Sequence, residues 1–467
     1  MTKLFLFFYI LALCGCMVGE DYKIKPFIRD EQVKNILNIE ANNKFSTINW
    51  YTIFGDKDLN TLLKFALKNN ISRKKAIENL QIARFQLAIQ SRQMLPMLNA
   101  QGNYSFNKAD SRRNFSENIN AFKTGFDVSW EIDIWGKGQY ISEQYLEFVK
   151  NSGYMLIDTD ISITSEIMLN YIKLREAQEK LRITQKNLFL QNEVLQTIKN
   201  KYSAGTEDDL ALNQAQYTVE RTLALIPEIN LQIATYQNNI AVLSGVTPNE
   251  LPIKLDIPQS NITQKVFKYS VKNFYKLPLN TIRARPDILA AEAMVKAQNA
   301  VVNSAIASLY PTLDLNAAFS YLSHSGHSLF NSDNQVYGYS PSFLLPIWNW
   351  KQLANNVEVQ KHQREIYLLD YNEIFLTALI ELKNAIFAIE QAYKENSSRQ
   401  ATLSKMKNIF SLTQQKYKNG LVNFTDVALA EQNLLAAETS LIESNSNILQ
   451  NFVAFYKAAG GGYNSIN

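Results

Sequence analysis

The sequence predicts an internally duplicated α+β fold, in which each half of the chain contributes two strands and a set of long helices. Three observations predict it. Short motifs recur 215 positions apart, four runs of residues alternate between apolar and polar side chains, and two stretches longer than 60 residues are almost free of Gly and Pro. With 46% hydrophobic and 19% charged residues, the chain can also bury a large core.

The N-terminus predicts a secretory signal. Lys3 gives a positively charged start, and Leu4 to Leu13 form an apolar run that is too short to cross a bilayer as a helix. The run ends in "LCGC", which resembles the lipobox of bacterial lipoproteins. The resemblance implies that Cys16 becomes the first mature residue and carries lipid. Because Met17 rather than Asp follows it, the resemblance also implies sorting to the outer membrane. The alternative is a plain secreted protein with two incidental cysteines.

The charge of the chain excludes some classes of partner. The net charge is +4 with a pI near 8.6, and the basic residues are scattered rather than clustered, so nucleic acid binding is not predicted. Beyond the signal, no stretch approaches 18 consecutive apolar residues, and a transmembrane helix is therefore not predicted. We expect any passage through a membrane to use strands.

The duplication is visible in matched motifs. "KYSAG" at 201–205 recurs as "KYKNG" at 416–420, and "LPML" at 95–98 recurs as "YPTL" at 310–313. Both pairs have the same offset, which indicates a true repeat. Trp135 is matched by Trp348 at an offset two positions shorter, so a small deletion lies between.

Each half begins with a helical stretch, Asp58 to Met94 in the first half and Asp287 to Leu309 in the second. Pro96 and Pro311 follow these stretches and end them. Two runs with strand-like alternation come next in each half, as expected for strands with two different faces. The four runs are "MLNAQGNYSF", "AFKTGFDVSWEI", "TLDLNAAFSYL" and "QVYGYSPSFLLPIW".

Very long helices follow the strands, predicted over 139–204 and 351–419. A second helix returns after each of the glycine turns at Gly205 and Gly420, and Pro227 is expected to kink the first of them. Apolar residues repeat every seven positions along both returning helices, which predicts left-handed supercoiling against neighbours. They are Leu212, Val219, Ile226, Ile233 and Ile240, and then Val427, Leu434, Leu441, Ile448 and Phe455.

Several stretches resemble the TolC-type outer-membrane efflux proteins, lipoprotein branch (NodT-like outer-membrane factors of tripartite efflux systems). The most specific are "VSWEIDIWGK" and "RARPDILAAEAMVKAQNAVVNSAIASLYPTLDL", and "KYKNGLVNFTDVALAEQNLL" is similar to the family's periplasmic tip. "CMVGEDY" resembles the family's mature start, with Glu20 where proline is usual. "YKAAGGGY" resembles its end, with Tyr463 where Trp is usual.

The resemblance implies a homotrimer in which four strands per chain form one shared 12-stranded β-barrel on a long periplasmic α-helical barrel. Four strands cannot close a barrel alone, since about eight is the smallest number.

The expected division of the chain is a lipoprotein signal peptide (1–15), an N-terminal segment with the first helix of repeat 1 (16–95), the first barrel hairpin (96–135), the long helices of repeat 1 (136–250), an inter-repeat linker (251–286), the first helix of repeat 2 (287–310), the second hairpin (311–348), and the long helices of repeat 2 with the C-terminus (349–467).

Enzymatic chemistry is not predicted. The sequence has no phosphate-cradling Gly-rich loop, nucleophile elbow or Cys/His cluster, and no cofactor is expected. His324 and His327 lie in a polar loop between strands, where a solvated loop competes with a metal site that would need further ligands. We expect the solvated loop, and no metal.

Acidic residues follow the first glycine turn, at Glu207, Asp208 and Asp209. Helix capping explains them fully, because Thr206 or Asp208 can cap the returning helix and acids in its first turn are favoured by the helix dipole. The resemblance to the efflux family also implies that these three acidic residues and Gly205 lie at a turn of the periplasmic tip.

The second turn carries the candidate gate. Asn423 is the matching cap, and Asp426 follows it. The resemblance implies that Asp426 faces a narrow periplasmic mouth and that Tyr417 helps to hold that mouth closed. The family's second acid is Leu429 here, so only a single acidic ring is implied. The alternatives are capping for Asp426 and coiled-coil packing for Tyr417.

These observations predict an outer-membrane exit duct, lipid-anchored and extending far into the periplasm. The resemblance implies that it passively conducts substrates from an inner-membrane pump and a periplasmic adaptor. The alternative is a structural or adhesive coiled-coil lipoprotein of the outer membrane. The strands next to Trp130 and Trp348 discriminate between the two, because a coiled-coil stalk has no use for them.

Overall fold

The structure, a computed structural model, describes residues 17–24, 28, 30–37, 50–108, 118–256 and 280–462. The signal and the proposed lipid site Cys16 therefore lie outside the described residues. So do Tyr463 and most of the predicted linker between the repeats.

The described chain is mainly helical, with four strands. The helices are α1 Asp30–Leu37, α2 Lys57–Asn69, α3 Ile71–Arg92, α4 Lys137–Ser203, α5 Asp209–Leu243, α6 Pro286–Ala307, α7 Trp350–Lys418 and α8 Phe424–Ala458, with a short turn at Asn280–Arg283. The strands are β1 Met97–Lys108, β2 Asn118–Glu131, β3 Thr312–Ser323 and β4 Gln335–Leu344. The prediction of four strands per chain is confirmed, and so is that of very long helices, since α4 has 67 and α7 has 69 residues.

The chain forms two compact units. The first comprises the described residues of Met1–Pro26, Glu78–Tyr154 and Leu289–Glu373, and it contains all four described strands. The second comprises the described residues of Phe27–Ile77, Met155–Ile288 and Ile374–Asn467, and it contains both glycine turns.

The first unit is built around one antiparallel sheet in the order β1-β2-β3-β4, so β1 and β4 are its edges. Within the ladders, Ala100 pairs with Phe126, Phe126 with Phe319, and Phe319 with Tyr337. Because directly paired residues point to the same side of a sheet, these registers assign every strand residue to one of two faces.

The two faces of the sheet differ in chemistry. One is mainly apolar and carries Leu98, Ala100, Tyr104, Phe106, Phe122, Phe126, Val128, Trp130, Leu313, Leu315, Ala317, Phe319, Tyr321, Tyr337, Tyr339 and Phe343. The other is mainly polar and carries Asn99, Gln101, Asn103, Ser105, Lys123, Asp127, Ser129, Glu131, Asp314, Asn316, Ser320, Ser340 and Ser342. The apolar face is open: Tyr337 is 80% and Tyr339 82% exposed.

The heptad positions of the returning helices α5 and α8 are buried or half-buried at all ten predicted residues. Ile240, Ile448 and Phe455 are completely buried. Helix α5 continues through Pro227, and the kink expected there remains a prediction. None of the helices in the described part of the chain combines the length and the apolar composition that a bilayer crossing demands.

A buried polar network lies in the core of the second unit. Asp56 caps α2 by accepting from the backbone N–H groups of Asp58 and Leu59 at 2.9 and 3.1 Å. The hydroxyl of the fully buried Tyr171 donates to the other Asp56 carboxylate oxygen at 2.7 Å, and Arg175 donates to that hydroxyl at 3.1 Å. Burial raises the pKa of Tyr171 well above its ordinary value, so this hydroxyl keeps its proton.

A charged cavity of about 640 Å³ also lies in the second unit. The Arg285 guanidinium, almost buried, binds Asp287 at 2.7 Å, Glu381 at 3.0 Å and the carbonyl of Ala458 at 2.8 Å. Asp158 lines the same cavity. Burial, together with the negative charge of Asp287, raises the pKa of the Asp158 carboxyl despite the opposing positive charge of Arg285.

Candidate functional site

The two glycine turns of the second unit have the same backbone geometry. Gly205 and Gly420 both have φ of +72°, which glycine adopts without steric cost. In the first turn the N–H groups of Gly205 and Thr206 bind the carbonyls of Tyr202 and Lys201, each at 2.9 Å. The second turn makes the matching bonds at the same distance, so both are Schellman ends of long helices.

The acidic residues after the first turn have separate roles. Asp208 is the N-cap of α5, and its carboxylate accepts from the backbone N–H of Ala211 at 2.9 Å. The Thr206 hydroxyl instead donates to the carbonyl of Lys201 at 3.0 Å, so Asp208 rather than Thr206 is the cap. Asp209 lies in the first turn of α5 and accepts a hydrogen bond from the Tyr202 hydroxyl, which raises the pKa of Tyr202.

Glu207 joins the two turns. Its carboxylate accepts a hydrogen bond of 2.5 Å from the hydroxyl of Tyr417, which belongs to the other repeat. Lys201 lies 3.4 Å from the same carboxylate oxygen, and its ammonium is 5.0 Å from the centre of the Tyr417 ring. Only 18% of the Glu207 side chain is exposed. A second link joins the repeats at 2.7 Å, from the Thr425 hydroxyl to the side-chain oxygen of Gln214.

The electrostatics keep the Tyr417 hydroxyl protonated. Partial burial, followed by the hydrogen bond to Glu207 and its negative charge, raises the pKa of Tyr417 far above its ordinary value. The hydroxyl is therefore a permanent donor at any physiological pH, and the link to Glu207 does not depend on titration of the tyrosine.

The link rests on an apolar base. The Tyr417 ring meets Phe424 edge-on with ring centres 5.9 Å apart. Phe424 belongs to a buried cluster drawn from the helix ends of the two repeats, and Tyr417 packs against that cluster. The cluster consists of Leu195, Ile198, Ala211, Ala215, Val219, Phe424 and Val427. Tyr417 is thus at once a packed coiled-coil residue and a polar link, so the two sequence-based alternatives for it are compatible.

Asp426 is exposed and lies in the first turn of α8. Its carboxylate accepts from the backbone N–H of Asn423 at 3.3 Å, which makes the pair a capping box. Only one carboxylate oxygen is used, so the charge remains open to solvent. Leu429, one turn further, is 56% exposed and adds no charge.

The partners of these groups could not be recognised from the sequence. Lys201, Gln214 and Thr425 are ordinary polar residues of long helices, and such residues give no signal of their own. The duplication gives a partial signal for the tyrosines. Tyr202 and Tyr417 are 215 positions apart, so each turn has a tyrosine about one helical turn before its glycine.

The histidine loop lies in the first unit. The Nδ1 atom of His324 is 2.9 Å from the carbonyl of Asn120, and His327 lies in a short helical turn. Within the ranges that the structure describes, no group of three or more His, Cys, Asp or Glu side chains is placed to hold a metal ion.

Comparisons with known proteins identify a matching family model, related sequences and solved structures with a similar fold. A family model described as "outer membrane efflux protein" matches residues 62–246 and 277–461. The cation efflux system protein CusC of Escherichia coli is 25% identical over 467 residues, covering 98% of this chain and 99% of CusC. The solvent efflux pump outer membrane protein SrpC of Pseudomonas putida is 27% identical over 414 residues, covering 88% of this chain and 86% of SrpC. Among solved structures, the CmeC outer membrane channel of Campylobacter jejuni superposes with a TM-score of 0.87 at 23% identity, covering 97% of this chain and 96% of CmeC.

Proposed function

The chain belongs to the outer membrane efflux protein family, and we propose that three copies of it form an exit duct through the outer membrane. Its strands would join into one 12-stranded β-barrel, and its long helices would continue the passage into the periplasm as an α-helical barrel. The duct carries out no reaction; it provides a path and a gate.

The two-faced sheet carries this proposal. A strand residue in a membrane barrel meets lipid on one side and the water-filled lumen on the other, so apolar and polar residues alternate. The sheet of this chain has that arrangement on all four strands, and β1 and β4 remain as free edges. Since lipid tolerates no open sheet edge, the edges must pair, and further copies of the chain supply the missing strands.

The gate is proposed at the glycine turns, with Tyr417 and Asp426 as its residues. The hydrogen bond from Tyr417 to Glu207 ties the helix ends of one repeat to those of the other, so it favours one arrangement of the turns. Opening requires the two turns to separate, and that breaks the bond. Asp426 supplies an exposed negative charge, and three copies around one axis would form a ring that attracts cations.

The partners follow from the relatives. CusC and SrpC are named as parts of a cation efflux system and a solvent efflux pump. By analogy, this duct would dock its turns on a periplasmic adaptor and receive cargo from an inner-membrane pump. Other relatives are named for toluene and pyoverdine, a range that favours a passive duct whose pump selects the cargo. The segment 1–15 is proposed to be a signal peptide, and Cys16 to carry the lipid anchor.

Two measurements test the duct. Sedimentation of the purified chain in mild detergent should give a trimer, and the same sample in a planar bilayer should give discrete conductance steps. A stable monomer with full β-strand content by circular dichroism, or a trimer that never conducts, would contradict the proposal.

A further inference from the structure

Two matching tryptophans have opposite environments. The indole N–H of Trp135 donates to the carbonyl of Pro311 at 2.7 Å, and its ring lies 5.0 Å from that of Tyr310. Trp135 thereby connects the segment just after β2 in repeat 1 to the beginning of β3 in repeat 2. Its counterpart Trp348 is 99% exposed in the single chain. The contact that the repeat provides for one tryptophan is missing for the other.

The strands of the two repeats correspond residue by residue. β3 is β1 moved by 215 positions, and both strands have 12 residues. β4 corresponds to β2 moved by 213 positions, because Gly125, Ser129 and Trp135 then coincide with Gly338, Ser342 and Trp348. The junction between β2 and β3 is therefore a template for a junction between β4 and β1 of another copy.

Resting on the trimer proposed above, we infer that β4 pairs with β1 of the partner subunit in the register of this template. Ser129 lies opposite Asn316 inside the chain. The corresponding pair across subunits is Ser342 opposite Gln101 of the partner subunit. In the same way, the Trp348 indole donates to the carbonyl of Pro96 of the partner subunit, which takes the place of Pro311.

The two faces of the sheet agree with this register. It puts Tyr339 of β4 opposite Tyr104 of the partner subunit, and both belong to the apolar face. It puts Ser342 opposite Gln101 of the partner subunit, and both belong to the polar face. A slip of one residue would set apolar side chains opposite polar ones, which makes odd slips costly.

Barrel closure excludes one of the two nearest even slips. With the three observed ladders, the inferred pairing shifts the register by six residues per chain, or 18 around three copies. At about 3.3 Å per residue and about 4.8 Å between strands, the strands then tilt by about 46°, at the upper edge of the usual range. Pairing Ser342 with Asn103 instead would tilt them by about 54°, which is too steep. Pairing it with Asn99 gives about 35°, and only the repeat correspondence decides against that slip.

Cysteine cross-linking tests the register. The double variant Ser342→Cys with Gln101→Cys should form covalent dimers and trimers under mild oxidation, seen on a non-reducing gel and lost with reductant. Opposed residues in an antiparallel pair have Cα atoms about 4.5–5.5 Å apart, within reach of a disulfide. Either substitution alone should give no covalent dimer or trimer on the gel, and this result would exclude cross-links through Cys14 or Cys16.

Three matched variants complete the test. Ser129→Cys with Asn316→Cys should form the same link within one chain, without any covalent dimer. Ser342→Cys combined with Asn103→Cys or with Asn99→Cys moves one thiol about 7 Å along the strand, so these pairs should cross-link at least tenfold more slowly. If either shifted pair cross-links fastest while sedimentation still gives a trimer, the register is wrong and the duct proposal stands. If no pair links subunits and no trimer sediments, the duct proposal itself fails.

The tryptophan contact has its own control. Trp348→Ala should lower the temperature at which the trimer dissociates in mild detergent, because it removes the contact to the partner subunit. Trp350→Ala, two positions further and 52% exposed in the single chain, should lower it much less. Equal effects of the two substitutions would overturn the assigned contact.

Discussion

The hydroxyl of Tyr417 lies 2.5 Å from the carboxylate of Glu207, although the two residues are 210 positions apart and belong to different repeats. The bond joins the two glycine turns at the position that we propose as the gate. In that proposal, the strength of the bond sets how easily the turns separate.

Tyr417→Phe should make the duct open more readily. The substitution keeps the ring on Phe424 and removes only the O–H donor. For a partly exposed hydrogen bond of about 1 kcal/mol, the ratio of open to closed states in single-channel recordings should rise about fivefold for each of the three subunits whose turns must separate. Tyr202→Phe is the matched control, because it removes the exposed bond to Asp209 within one repeat. Equal recordings for both variants would show that the Tyr417 link does not restrain the gate.

Asp426→Asn should reduce the cation preference of the duct. The change keeps the size of the side chain and some of its capping ability, but it removes the charge from each copy. Asp209→Asn, at the other turn, should reduce it less. Reversal potentials in a salt gradient measure both effects. If Asp426→Asn only lowers the unfolding temperature and leaves ion selectivity unchanged, Asp426 is a cap and not part of a gate.

Cys16→Ser should abolish the incorporation of a radioactive fatty acid into the chain. More than one acyl chain gives stable membrane attachment, so the wild-type label should stay with the membrane through a salt wash. Cys14→Ser is the control, since Cys14 would leave with the signal peptide. Undiminished label on the Cys16→Ser variant contradicts the lipid anchor.

Tyr171→Phe should destabilise the fold by about 1–3 kcal/mol, because it removes a donor from the buried carboxylate of Asp56 and leaves Arg175 without its acceptor there. Thermal unfolding followed by circular dichroism checks this. Tyr217→Phe changes a tyrosine that is 63% exposed and should alter stability by less than about 0.5 kcal/mol. Similar losses for both variants would mean that the buried network contributes little.

Asp158→Asn should stabilise the chain at neutral pH, with an advantage that shrinks in acid. Burial raises the pKa of Asp158 in the folded state above its unfolded value. The folded state therefore binds this proton more tightly, and stability falls as pH rises through the folded pKa. Asparagine removes that loss. Unfolding temperatures at pH 4 and pH 7 measure it, with Asp333→Asn in an exposed turn as the control. A variant that is less stable than wild type at pH 7 would show that the charge of Asp158 is needed by Arg285.

The elements of this fold were predictable where side chains repeat with a regular period. The heptad residues Val427 and Ile448 identified a packed helix, and the alternation along β2 identified a strand with two faces, because both patterns are local. The link between Glu207 and Tyr417 was not predictable, since it depends on how two turns from different repeats are brought together. The choice of Asp208 over Thr206 as the N-cap of α5 was not predictable either, because both residue types can cap a helix and the backbone angles decide between them.

The exposed state of Trp348 was also beyond prediction. A tryptophan in a duplicated motif is expected to share the environment of its counterpart, but Trp135 is half-buried and Trp348 is almost completely exposed. The reason is that Trp135 meets the beginning of the second repeat, whereas the described part of the chain has no third repeat that Trp348 could meet. The contact that Trp348 lacks inside the chain is the one that we infer a partner subunit supplies.

The free edges of the sheet have a kinetic consequence. A newly made chain presents β1 and β4 as open templates, and any strand of matching pattern can add to them. Reaching the mature form then requires encounters between chains, so the rate of its appearance should depend on chain concentration to a power above one. At low concentration, unassembled chains would persist for longer, and their open edge strands would be prone to pair with the wrong strands. Clustering nascent chains at the membrane by an early lipid tether would shorten that wait, which gives an anchor a use during biogenesis even if the finished duct does not need it.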